Sequence, residues 1–152
     1  FIKNFELHLV GDPSQSHFLD LQKKSPKAVK LCGMVAVERI SGYIAQFNVA
    51  LVLQKPMDFT KSQVPAKLIE SLALGKPVLT TNVGDIPEII FSQGKKSGWL
   101  VKEYSSEAVL DQLRHLECNH REIQEFSFNA LENFVANFGC KNTKNALKKI
   151  GF

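Results

Sequence analysis

Cysteine is scarce in this chain of 152 residues: Cys32, Cys118 and Cys140 are the only three. An odd, widely spaced set without a C-x-x-C pair argues against a disulfide framework. Cys32 stands in an apolar run and is expected to be a small core residue. A reducing, cytoplasmic setting follows from this cysteine usage. His8, His17, His115 and His120 form no recognisable ligand pattern, so no metal is expected. Long hydrophobic runs are missing too, and a bilayer span needs roughly 20 apolar residues. No secretory leader is visible. There is no Met before Met34, and the chain opens on Phe1, so it reads as a piece of a larger protein. Neither sign of charge dominates, since 19 Lys and Arg against 15 Asp and Glu leave a net +4. Such mild basicity suits an anionic ligand, a membrane surface or nucleic acid without choosing among them. Lys141, Lys144, Lys148 and Lys149 make a local excess, read as a solvated helix face or a basic docking patch.

What is present is a core. Hydrophobic residues make up 44% of the chain, which excludes disorder and is enough for one domain. Strand-like and helix-like apolar periods alternate. Phe5 to Val10 is a short β run ended by Gly11-Asp12-Pro13, and a polar helix from about Ser16 to Lys24 is broken by Ser25-Pro26. A second strand covers Ala28 to Cys32 and ends at Gly33. A helix follows from Glu38 to Phe47. Val49 to Leu53 is a continuous apolar strand of the kind buried on both faces of a parallel sheet. After a polar loop, Pro65 opens a helix that stops at Gly75. Pro77 to Thr80 is a strand, and Pro87 opens a short helix ending near Gly94. Gly98 to Val101 is the last strand. Ser105 or Ser106 caps a helix to about Leu116, and the remainder from His120 is helical with a break near Gly139. Such alternation predicts βα units, a mainly parallel sheet and three layers.

Several nucleotide and hydrolase signatures are absent. Gly11-Asp12-Pro13 does not match G-x-G-x-x-G, no G-x-x-x-x-G-K-[ST] P-loop occurs, and no G-x-S-x-G elbow is found. The phenylalanines Phe126, Phe134 and Phe138 have helical spacing and read as core or docking surface, not as a base-stacking platform. Trp99 reads as core. In open α/β sheets, ligands bind beyond the carboxyl ends of the strands. Gly11, Gly33, the loop from Gln54 to Val64 and the run Asn82-Val83-Gly84-Asp85 all fall there. Helices opened by Pro65 and Pro87 would point N–H groups into the same region and form an anion site, with phosphate its usual occupant. Lys67 and Glu70 lie three residues apart on the Pro65 helix. Glu70 could accept two hydroxyls of a ribose diol, or it could simply pair with Lys67 at the surface.

The residues become specific as a set. Pro65-Ala66-Lys67-Leu68-Ile69-Glu70-Ser71-Leu72-Ala73-Leu74-Gly75-Lys76-Pro77-Val78-Leu79 precedes Gly84-Asp85-Ile86-Pro87-Glu88-Ile89-Ile90 and then Gly98-Trp99-Leu100-Val101. This order and spacing resemble the C-terminal, donor-binding domain of GT-B fold glycosyltransferases of the group 1 type (glycosyltransferase family 4). Gly11-Asp12-Pro13 and Leu31-Cys32-Gly33-Met34-Val35 stand where that family has a G-x-G-P turn and an L-G-x-V strand end. The similarity covers almost the whole chain.

The resemblance implies a Rossmann-like, three-layer α/β fold, the C-terminal half of a GT-B glycosyltransferase. The family's first strand and helix of this half, with a basic pair that neutralises the diphosphate, are absent. In a doubly wound sheet that strand is central, so either a gap beside the strand ending at Gly11 or a rearrangement is expected. On this reading residues 1–152 are one nucleotide-sugar-binding domain, about 120–152 are a helical extension, and the acceptor-binding N-terminal domain is absent. The implied activity is transfer of a hexosyl group from a nucleotide-diphosphate sugar, with retention of configuration, by the intact protein; the fragment alone is expected to be inactive. The implied donor contacts are as follows. Glu70 matches the second Glu of the E-x7-E motif and holds the ribose hydroxyls. The stretch of Ser62, Gln63, Val64, Pro65 and Ala66 lies near the diphosphate and sugar. Met34 and Val35 flank the base, and Gly11, Gly33 and Gly84 form close turns. Lys67 fits a P-x-K-x-x-E variant, with a structural role open to it. No catalytic residue is assigned and no cofactor or metal is implied. The partners implied are the nucleotide sugar, the N-terminal domain and a lipid or polysaccharide acceptor, with no nucleic acid. The location implied is cytoplasmic, peripheral at the inner membrane face.

Two departures matter. Ser62 occupies the place of the first Glu of E-x7-E, so a charge that contacts the donor sugar is replaced by a hydroxyl. Asp85 replaces the second glycine of the G-G-x-P-E turn and is expected as an N-cap. Alternatives therefore stand beside the transferase. One is a non-catalytic nucleotide-sugar-binding module, and another is a different GT-B enzyme such as a sugar epimerase. A phosphorylase is a further option, but it would need a pyridoxal-bearing Lys for which there is no signal.

Overall fold

The structure, a computed structural model, describes residues 5–142 and Lys148. Lys141 and Lys148 are exposed, whereas Lys144 and Lys149 lie outside the described residues, as does most of the expected extension beyond Asn142. The chain divides into two compact units, residues 1–43 and 44–152.

The first unit contains β1 (Leu7–Val10), α1 (Ser16–Lys24), β2 (Val29–Gly33) and most of α2 (Val37–Ile44). β1 and β2 pair in parallel, with Leu7 opposite Val29, His8 opposite Lys30 and Leu9 opposite Leu31. Side chains alternate across a strand, so Leu7, Leu9, Val29 and Leu31 share one face. Glu6, His8, Lys30 and Cys32 share the other. Cys32 is therefore not the core residue its apolar run suggests. It is half-buried on the polar face, with its Sγ 3.7 Å from His8 Nδ1. α1 packs on β2.

The second unit runs β3 (Ala50–Val52), α3 (Asp58–Lys61), α4 (Ala66–Ala73), β4 (Val78–Thr81), α5 (Ile86–Ile90), β5 (Phe91–Ser92), β6 (Lys95–Lys96), β7 (Gly98–Val101), α6 (Ser106–Cys118) and α7 (His120–Phe138). Its main sheet has the order β3-β4-β7, parallel throughout. β4 is central, and all four of its residues are buried. Val52, Leu68, Val78, Val83, Ile86 and Ile90 make the core. Leu68 and Leu72 of α4 are fully buried, and each such side chain contributes about 1.5–3 kcal/mol. Trp99 is buried against Phe126 of α7, ring centroids 4.8 Å apart. Ser105 is the N-cap of α6, accepting from Ala108 N–H at 3.1 Å.

The fold class is the expected one, α/β with parallel strands. Among the described residues β1 is hydrogen-bonded to β2 alone. Two elements differ. The Pro87 helix does not reach Gly94; it stops at Ile90, and Phe91–Lys96 fold into an antiparallel hairpin. Gln93 and Gly94 make its turn with φ of 53° and 74°, a left-handed pair that an Asn-Gly sequence would have announced. The polar loop after β3 also contains a helical turn, α3.

The hairpin is held by amides of α7. Asn129 Nδ2 donates to the Lys96 carbonyl at 2.9 Å. Asn133 Nδ2 donates to the Ile89 carbonyl at 2.6 Å and to Ser97 Oγ at 2.8 Å. Asn137 Nδ2 donates to Asn133 Oδ1 at 2.8 Å. Asn133 is buried, so truncating it strands its acceptors away from water. Asn133→Ala is expected to destabilise the protein by about 2 kcal/mol in urea unfolding. Amide exchange should accelerate first in Phe91–Lys96.

Candidate functional site

Two loops meet at the carboxyl end of the second unit's sheet. The first leaves β3 under tight control from β4. Thr80 Oγ1 donates to the Val52 carbonyl at 2.7 Å. Thr81 Oγ1 donates to the Gln54 carbonyl at 2.8 Å and accepts from Gln54 N–H at 2.9 Å. Buried Thr60 then shapes α3. Its Oγ1 accepts from Met57 N–H at 2.9 Å and lies 2.8 Å from the Met57 carbonyl and 2.9 Å from that of Lys55. Ser62, Gln63 and Val64 follow, all exposed, and buried Pro65 is the N-cap of α4.

The second loop leaves β4. Gly84 has φ of 53°, and a Cβ built there would stand 2.3 Å from the Lys61 carbonyl oxygen. The Asn82–Asp85 turn is therefore pressed against the end of α3, one residue from Ser62. This contact brings Gly84 together with the Ser62–Pro65 stretch.

α4 begins with no side chain capping it, so the N–H groups of Ala66 and Lys67 keep their positive ends outward. Leu68, Ser71 and Leu72 turn inward, while Ala66, Lys67 and Glu70 are exposed. At three- and four-residue spacing these last three share one helix face. Glu70 makes no ion pair with Lys67, nor with any other described residue. The surface-pair alternative for Glu70 is therefore not the one adopted. Its carboxylate stands one turn along the helix, with both oxygens available.

The other helix tip is weaker than expected. α5 has five residues, and Asp85 occupies its N-cap position without making a side-chain cap bond. So few residues align few peptide dipoles. Asp85 is exposed and is not the cap its position suggests.

In the first unit, Gly11 N–H donates to the Gly33 carbonyl at 3.0 Å and ties the two strand ends together. Gly33 has φ of 73° and open space where a Cβ would point. Met34 is 77% exposed and Val35 is half-buried. Gly11, Gly33, Met34 and Val35 thus form one corner, half-buried except at Met34. The turn beyond Gly11 is ordered by Asp12, whose Oδ1 accepts from Ser14 N–H at 2.9 Å and from its hydroxyl at 2.7 Å. These bonds, the backbone one foremost, hold the Asp12 carboxyl below the usual carboxylate range.

Sequence reasoning passed over two features. One is a cavity of about 260 Å³ in the second unit, lined by Leu53, Thr81, Tyr104, Ser105, Ser106 and Val109. The other is Gln54, whose Oε1 is buried without a partner among the described residues. Neither carries a motif; both arise where separate strand ends meet. No group of His, Cys, Asp and Glu among the described residues could hold a metal ion.

A family model described as "Glycosyl transferases group 1" matches residues 2–119. The chain belongs to this family. It is 32% identical over 82 residues to the amylovoran biosynthesis glycosyltransferase AmsK of Erwinia amylovora, covering 53% of this chain and 20% of AmsK. Among solved structures, sucrose-phosphate synthase of Thermosynechococcus elongatus superposes with a TM-score of 0.76 at 19% identity, over 95% of this chain and 37% of the synthase. HepE of Anabaena, solved in complex with UDP, gives 0.73 at 17% identity, over 97% of this chain and 41% of HepE. At these identities the superpositions establish a shared fold, that of the GT-B glycosyltransferase C-terminal domain. The group 1 chain thus spans about a fifth of the curated relative and about two fifths of these structures. No described helix is long and apolar enough to cross a membrane.

Two predictions follow from this geometry. Gly84→Ala combines a left-handed backbone with a Cβ driven into the Lys61 carbonyl, and should destabilise the protein by at least about 2 kcal/mol in chemical denaturation. Asp12 has its folded value below the ordinary 3.8, so its contribution to stability is complete above that value and is lost as pH falls through the lowered one. In an NMR titration of the Asp12 carboxyl, Ser14→Ala should raise the midpoint only part of the way, because the backbone N–H donor remains.

Proposed function

We propose that this chain is the donor-binding part of a glycosyltransferase that takes its sugar from a nucleotide-diphosphate sugar. The observation that carries the reading is the exposed, unpaired Glu70 carboxylate on the face of α4 that starts with the uncapped N–H groups of Ala66 and Lys67. A carboxylate with both oxygens available accepts two O–H donors at once, as a ribose diol requires. Outward N–H groups one turn away suit a diphosphate. Ser62, Gln63 and Val64 lie on the approach to Pro65, and Ser62 offers a neutral hydroxyl to the donor sugar. HepE has been solved in complex with UDP, with UDP and glucose, and with UDP-glucose, which supports a uridine donor.

In such a reaction the departing diphosphate gains charge as the sugar becomes oxocarbenium-like. Fixed N–H dipoles stabilise that charge more than they stabilise the intact donor. Retention of configuration, hexosyl transfer, a lipid or polysaccharide acceptor held by an N-terminal domain, and a cytoplasmic place at the membrane face belong to the same proposal. It invokes neither a metal nor a cofactor. Ser62 favours a second reading, a module that binds the nucleotide sugar without transferring it, since the charge the family places on the donor sugar is missing.

Calorimetric titration of the full-length protein with UDP, GDP and their glucose conjugates tests the proposal. One nucleotide should bind, and Glu70→Ala should weaken it roughly 10- to 100-fold, the loss of two charge-assisted bonds. Absence of binding by all four, or an unchanged affinity in Glu70→Ala, would overturn it. Release of the nucleotide product during incubation with cell-wall or lipid-linked saccharides supports transfer; binding with no turnover supports the module.

A further inference from the structure

The polar face of the β1–β2 sheet carries a thiol, an imidazole and a carboxylate in sequence. Cys32 Sγ lies 3.7 Å from His8 Nδ1. His8 Nε2 is hydrogen-bonded to Glu6 Oε1. Glu6 Oε2 is 2.6 Å from Lys30 Nζ. The register of the parallel pair explains the grouping, because His8 and Lys30 stand opposite one another, with Glu6 and Cys32 two residues away on the same face.

Glu6 fixes the tautomer of the ring. Its carboxyl is held below the usual carboxylate range, first by Lys30 and then by His8, so it is ionised at neutral pH and can only accept. The hydrogen shared with it therefore sits on Nε2. In the neutral imidazole Nδ1 is then the acceptor nitrogen, and it is the one that faces the thiol. A nucleophile beside a base that is itself oriented by a third group is the general arrangement of an activated nucleophile. The weaker alternative for the thiol hydrogen is the Lys30 carbonyl, at 4.0 Å.

We propose that Cys32 is an activated thiol and a site of mixed-disulfide formation with a small disulfide, His8 acting as the base and Glu6 as the positioning residue. Sγ attacks one sulfur of the small disulfide as its proton passes to His8 Nδ1. A new S–S bond forms to Cys32. The original S–S bond breaks, and its electron pair leaves on the second sulfur, which takes the proton back. One disulfide and one thiol become a mixed disulfide and a thiol, so no further oxidant is required. Cys32 is half-buried, which suits a small disulfide. Cys118 and Cys140 are both exposed, and neither is hydrogen-bonded to an imidazole or carboxylate among the described residues.

The test uses oxidised glutathione with the full-length protein, reading the rate of modification at each cysteine by peptide mass mapping. Cys32 should react at least about 10-fold faster than Cys118 and Cys140 despite its lower exposure. His8→Gln should abolish that advantage, and Glu6→Gln should reduce it severalfold, with the rates at Cys118 and Cys140 unchanged in both. Equal or slower reaction at Cys32, or a rate indifferent to both substitutions, would overturn the proposal. Should His8→Gln fail to fold, the wild-type order of rates and Glu6→Gln decide the matter alone.

Discussion

The backbone at Gly84 runs so close to the Lys61 carbonyl that no side chain fits between them. The candidate donor surface of the second unit depends on that approach. Two loops from adjacent strands each have many conformations of their own. Pressed together without an intervening Cβ, they constrain one another, and the exposed run from Ser62 to Val64 inherits a defined course. Upstream, the Thr80 and Thr81 hydroxyls hold the exit of the first loop onto β4. Downstream, the fully buried Leu68 and Leu72 fix the azimuth of α4 and leave Glu70 outside. Burial, hydrogen bonding and a glycine thus act in series, each setting the position from which the next begins.

Most of the fold was legible in the sequence, for reasons that can be named. β3 and β4 are short apolar runs between turn residues. The limits of α1 and α6 follow from a proline break and a serine cap. The hairpin after α5 was not legible. Its turn is Gln-Gly, its strands are two residues each, and the amides that hold it come from α7, some 40 residues away. Cys32 was misjudged because composition hides alternation. Val-Lys-Leu-Cys reads as apolar in bulk, but its second and fourth residues face the opposite way from its first and third.

The candidate site residues were named chiefly from motif order. Spacing alone pointed to an ion pair of Glu70 with Lys67, and the folded arrangement does not form that pair. Asp85 is a second such case: position identified it as a cap, but five residues of helix give a cap little to stabilise, and its side chain makes no such bond. The cavity beside Tyr104 and the orphaned Gln54 oxygen were beyond reach. They depend on where three strand ends converge, and no local pattern encodes that convergence.

The asparagines of α7 have a geometric corollary. At 3.6 residues per turn, Asn129, Asn133 and Asn137 line one side of the helix, and Phe128, Leu131 and Val135 fall diametrically across from them. Those three apolar side chains are all exposed. A helix held only by greasy contacts could roll about its axis and tuck such a stripe away. Here the amides engage the hairpin like teeth in a lock, so α7 cannot rotate without losing several hydrogen bonds together, and the stripe is kept on the side turned away from the hairpin.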